Sequence, residues 1–99
     1  VPEGGQFFES EVRRVHALVM AELSPADVDR AETRFRDAAR CAQDYRLPLF
    51  ERRCLVSLAQ FLSSAGRRDA AVESRLAELS HLDHLDRRVA RAMQDFRHA

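Results

Sequence analysis

Apolar residues recur along this chain at spacings of three and four, the signature of one face of a helix. The widest such face lies between Leu47 and Gly66, where Phe50, Cys54, Leu55, Leu58, Phe61, Leu62 and Ala65 form one stripe. Gly66 can take the left-handed conformation that stops a helix, and a second helix opens within a few residues. The pattern therefore predicts an αα-hairpin over residues 47–79.

The flanking segments carry stripes of their own. Phe8, Val12, Val15, Val19 and Leu23, widened by Leu18, predict a helix over 8–23, with Glu9 and Glu11 in the first turn. Ser24-Pro25-Ala26-Asp27 then reads as a boundary, with Ser24 capping the next helix, Pro25 at its first position and Asp27 completing a capping box. That helix, 25–44, has the stripe Val28, Ala31, Phe35, Ala38, Ala42 and Tyr45: a slim face with Phe35 as its one large knob. A short connection from Asp44 to Leu47 leads to Pro48 and the third helix, 48–65.

Beyond Gly66 the stripe runs through Val72, Leu76, Leu79, Leu82, Leu85, Val89, Met93 and Phe96. One long helix would satisfy it, and so would two, 68–80 and 81–97, broken near Ser80 with Asp83 in a capping box. A break is preferred, because small domains rarely hold helices of about thirty residues. Residues 1–6, with Pro2 and Gly4-Gly5, read as a flexible tether to a single domain over 7–97. The expected fold is all-α, four or five antiparallel helices, with Phe35, Leu55, Leu58, Phe61, Leu62, Leu76 and Leu79 in the core.

Charge narrows the function classes. Sixteen basic residues, all arginine, balance sixteen acids in 99 residues, so the net charge is zero. That balance removes the long-range attraction a nucleic acid or acidic membrane would exploit, and it permits self-association. No apolar run approaches the roughly 18 residues of a membrane span. The opening VPEGGQFF lacks the basic and apolar regions of a signal peptide, so a cytoplasmic location is expected. Its start on Val1 rather than methionine suggests a trimmed or excised chain. Two cysteines, Cys41 and Cys54, are too few for a disulfide scaffold and read as reduced thiols in helices. A bridge between them across the 44–47 connection stays open.

Candidate chemistry is sparse. Glu78 and His81 have the Glu-x-x-His spacing of di-iron bundles, and His84 follows three residues on. That chemistry needs a second such pair, and His16 and His98 sit in unrelated contexts, so no metal or cofactor is expected. Cys54 lies on a stripe that must be buried, and Cys41 lies late in its helix beside alanines. Ser57, Ser63 and Ser64 lack a nucleophile-elbow context. No catalytic residue emerges, and an enzyme is not the expectation. Four arginine doublets, at 13–14, 52–53, 67–68 and 87–88, read mainly as solvated faces because acids interleave them.

From Leu55 to Leu79 the chain resembles a tetratricopeptide-type repeat. Leu55, Leu58, Ala59, Leu62 and Gly66 occupy the roles of its first helix and turn, and Ala71 the small residue that opens its second helix. The aromatic position falls on Arg75 and the next small position on Glu78, although a shift of one residue would use Leu76 and Ala77. Forty residues earlier, Val15, Leu18, Val19, Ala31 and Phe35 echo the pattern. The resemblance implies stacked hairpins that form a protein-binding surface, and no catalytic residues.

The function expected is a protein–protein interaction module, as an adaptor, chaperone-like subunit or regulatory domain. A nucleic-acid-associated regulatory domain using arginine patches is the alternative, and a small helical enzyme or metal-binding bundle the third reading. A short stacked array has two ends, and each end leaves a stripe to cover. The C-terminal stripe is expected to meet another protein or a homodimer mate through Leu82, Leu85, Val89, Met93 and Phe96. Met93 and Phe96 are the anchors, with Arg87, Arg88 and Arg91 on the rim.

Overall fold

Phe35 is the residue around which the chain closes. It is fully buried, and Ala31, Ala38 and Ala42 on the same helix are buried with it. Alanines let neighbouring backbones come close, and the single ring fills the space between them. A computed structural model describes the backbone of residues 2–98 and the side chains of 8–85, 87–92, 94 and 95. Its helices are α1 (Pro2–Leu23), α2 (Val28–Asp44), α3 (Pro48–Ser64), α4 (Ala70–Glu78) and α5 (Asp83–His98), with a 3-10 turn at Ser80–Leu82. No strand occurs among the described residues, and the fold is a small all-α bundle.

Helix α2 packs antiparallel against both α1 and α3, which also touch each other. The hydrophobic core joins Ala17 of α1, Phe35, Ala38 and Ala39 of α2, and Cys54, Leu55, Leu58 and Leu62 of α3. It continues through Val72, Leu79 and Leu82 beyond Gly66. Phe61 and Leu76 pack against its edge, half-buried, and the Phe61 ring lies 5.2 Å from that of Phe35 between centroids. All seven residues assigned to the core from the stripes thus sit in it or on its edge.

The ends of α2 and α3 are closed in the same way. At α3, Arg67 N–H donates to Leu62 O (2.7 Å) and Gly66 N–H to Ser63 O (3.0 Å), a Schellman motif with Gly66 at φ +72°. At α2, Leu47 N–H donates to Ala42 O (2.9 Å) and Arg46 N–H to Gln43 O (3.0 Å), with Arg46 at φ +55°. An arginine thus holds a conformation that suits glycine.

Two boundaries differ from the sequence reading. Helical backbone begins at Pro2, within the segment read as a tether. Helix α2 begins at Val28, three residues after the expected start, because Ser24 O accepts from Asp27 N–H (3.0 Å) and closes a turn with Pro25 at its second position. Ser24 therefore shapes the connection through its carbonyl, and Asp27 takes the position before the helix without a side-chain bond to it. The C-terminal stripe is broken at Ser80–Leu82, separating α4 from α5.

Helix α4 is fastened to the bundle by charge as well as by Val72. Asp69 accepts from Ala71 and Val72 N–H at its start and receives Arg36 of α2 at 2.6 Å. The buried Glu51 of α3 takes Arg75 as a fork, at 2.7 and 3.0 Å. The tetratricopeptide pattern places an aromatic at position 75. Here Arg75 stands at that position and joins the two helices through its ion pair with Glu51.

Candidate interaction surface

Helix α1 turns its small and polar residues inward. Ser10 and Ala17 are fully buried, and Arg14 and Ala21 are partly buried. The Cys54 thiol donates to Ser10 O (3.9 Å), and Arg14 reaches Ser57 of α3 (3.3 Å) and Glu11 (3.0 Å). Roughly 180° around the helix lie Val12, Val15, Val19 and Leu23, with Phe8 extending the row. These are the exposed residues: Val12 is 65% exposed, Val15 48%, Val19 47% and Leu23 77%. The apolar stripe of this helix, one of the two end stripes that the sequence leaves to be covered, is its outer face.

The edges of that face are polar and locally neutral. Toward α2, Glu9 pairs with Arg13 at 2.9 Å. The Arg13 guanidinium and the Tyr45 hydroxyl together hold the Glu9 carboxyl below its ordinary value, and Glu9 in turn pushes the Tyr45 phenol up. Toward α3, Glu11 takes Arg14 and, at 3.7 Å, Arg53. Leu18, 39% exposed, leads from the outer face into a groove of about 390 Å³ between α1 and α3, whose floor is Phe35 and whose far wall carries Gln60 and Phe61.

The C-terminal residues assigned to an interface fall into three groups. Leu82 is buried in the core and offers no open surface. Leu85 and Val89 lie on α5, 38% and 37% exposed, and α5 makes its main contacts with the 3-10 turn before it. Arg87, Arg88 and Arg91 are exposed, with Arg87 paired to Asp83 at 2.9 Å. The side chains of Met93 and Phe96 lie outside the described residues.

The other candidates resolve into structure. His81 and His84 are exposed, and the His81 ring lies 3.2 Å from Glu78 O. Among the described residues, no three histidine, cysteine or acidic side chains are grouped to hold a metal. Both cysteines are free, so the bridge left open by the sequence is not formed. Burial pushes the Cys54 thiol up to about 12 and raises that of Cys41 too, the opposite of nucleophile activation. Three of the arginine doublets are committed to carboxylates: Arg13 to Glu9, Arg14 to Glu11, Arg52 to Asp83, Arg53 to Glu11, Arg67 to Asp29 and Glu32, and Arg68 to Glu73.

The sequence carried a signal for the reversed α1 that its large residues conceal. Ser10, Arg14, Ala17 and Ala21 recur at helical spacing just as the valines do, and three of the four are as small as the face of α2. No helix among the described residues is long and apolar enough to cross a membrane. No family model, no curated protein and no solved structure matches the chain.

Proposed function

We propose that this chain is a protein–protein interaction module whose principal contact face is the outer side of α1. One observation carries the reading: the large apolar residues of α1 point away from the bundle that α1 itself completes. Val12, Val15, Leu18, Val19 and Leu23 leave open on the order of 500 Å² of apolar surface, a size that in soluble proteins marks a contact site. A polar rim of paired charges surrounds it, the usual layout of a protein interface. Leu85 and Val89 on α5 supply a second, smaller patch. The packing of α2 against α1 and α3 is compatible with stacked helical hairpins, the architecture that the tetratricopeptide resemblance implies. A nucleic-acid reading has less support, since the guanidinium groups of three doublets are already paired with carboxylates.

A photoreactive amino acid placed at position 15 or 19, and at Arg34 on the exposed side of α2 as control, tests the reading in cells producing the full chain. Protein adducts at 15 and 19 with little at 34 are the expected result. Equal labelling at all three positions, or none at 15 and 19, would overturn it.

A further inference from the structure

We infer that the outer face of α1 is closed by a second copy of this chain, the two α1 helices lying antiparallel across a twofold axis between Val15 and His16. This rests on the contact face proposed above and names its partner. The row of exposed residues reads nearly the same from either end. Val12 and Val19 stand about equally far from the point between Val15 and His16, and Leu23 on one side matches the position of Phe8 on the other. Reversing a second helix against the first therefore sets Val12 on the mate's Val19 and Leu23 at the level of the mate's Phe8. Val15 lies at the axis. A surface that serves both partners of a twofold pair must be self-complementary in this way.

Area and charge agree with that occupant. About 500 Å² of apolar surface from each copy makes about 1,000 Å² in total before the flanking residues are added, which brings the pair to the lower part of the range for specific interfaces. A pair of that size is compatible with a weak association in the micromolar range. Glu9 with Arg13 and Glu11 with Arg14 neutralise the two edges locally, so two copies meet without a strip of one sign. Zero net charge adds no long-range repulsion. Antiparallel α1 helices also set opposite ends of their dipoles together, which a parallel pair would not.

Cysteine cross-linking of the full chain reads the geometry directly. His16→Cys places the new thiol near the axis, whereas two copies of Leu23→Cys lie about 22 Å apart along the helices. Under mild oxidation at 50–100 µM (about the concentration this affinity needs), His16→Cys should form a disulfide dimer well above the wild-type background. Leu23→Cys alone should not, and a mixture of Val12→Cys with Val19→Cys should yield the mixed dimer. Val15→Glu should weaken self-association by about 100-fold or more, as measured by sedimentation, with its helical circular dichroism spectrum unchanged. Should that variant misfold, the cross-links still decide. Leu23→Cys bridging to itself faster than His16→Cys would overturn the antiparallel pair. A wild-type chain that sediments as a monomer at 100 µM, with no His16→Cys dimer, would overturn self-association. If photo-adducts at 15 and 19 then join the monomeric chain to a different protein, the contact face stands and only its assignment to a second copy falls.

Discussion

Truncating Phe35 to alanine is the most discriminating test of the core. The ring is fully buried, and an aromatic side chain of that size removes about 200 Å² from water, worth roughly 5 kcal/mol as an upper figure. The tilted contact with Phe61 adds about 0.5–1.5 kcal/mol that alanine cannot make. Ala31, Ala38 and Ala42 line the same face and are too short to fill the space left behind. The groove between α1 and α3 lies directly above Phe35, so water or a shift of Phe61 can occupy part of the void. The loss should therefore be about 3–5 kcal/mol, the range for a buried phenylalanine. Against about 5–15 kcal/mol of total stability, that brings the domain close to unfolding. Urea denaturation followed by circular dichroism, at low micromolar concentration to keep the proposed self-association out of the reading, measures the difference. Val15→Ala, made beside it, removes an equally apolar residue from the outer face and should cost less than about 0.5 kcal/mol. A Phe35→Ala loss under about 1 kcal/mol, or a Val15→Ala loss above about 1.5 kcal/mol, would refute the assignment of inner and outer faces.

Three further tests address the helix ends and the thiols. Gly66→Ala should destabilise by about 1 kcal/mol through its positive φ alone, since an added Cβ meets nothing within 4 Å, while Arg46→Gly should stabilise by up to about 1 kcal/mol; melts showing the opposite signs would refute the turn assignments. Asp69 is held below its ordinary value mainly by Arg36, so its contribution is complete above the unfolded-state value near 3.8 and lost as pH falls through the lower folded one. Asp69→Asn keeps a good helix cap and loses that charge, and its urea midpoint should therefore fall less than wild type between pH 5 and pH 2.5; parallel curves would count against the pairing. In native protein at pH 8, Cys54 should resist a thiol reagent until the chain unfolds and Cys41 should react slowly; two fast thiols would contradict the packing of α1 on α3.

How legible these features are in the sequence depends on how local their causes are. Helices α2 and α3 declare themselves because each stripe is continuous and each end has a nearby breaker. Gly66 could be read for the same reason. Arg46 could not, since nothing in its residue type favours positive φ; the Schellman closure onto Ala42 and Gln43 imposes it. The burial of Glu51 is equally hidden, because the group that makes it tolerable, Arg75, lies 24 residues away on another helix. Helix α1 is the instructive case. An apolar stripe states that a face will be covered, and says nothing about whether the cover comes from the same chain.

The reversal of α1 follows from how closely it approaches its neighbours. Ala17 shares one cluster with Phe35, Ala38, Ala39 and Cys54, and Cys54 reaches the backbone of Ser10. Rolling α1 by half a turn would insert Val12, Val15 and Val19 where alanine and serine now sit. The helix would be pushed outward, and the bond from Arg14 to Ser57 and the thiol contact to Ser10 would be lost. Overpacking of that kind costs typically about 1–3 kcal/mol, offsetting much of the burial gained. Small residues therefore settle inside, and the bulk of the apolar area of α1 is left exposed. On the proposed reading, folding and association use different residues of one helix. If that reading holds, a substitution on the outer row abolishes binding while leaving the core intact, and the partner dissociates without unfolding the domain. An obligate dimer, in which folding depends on the buried interface, lacks that separation.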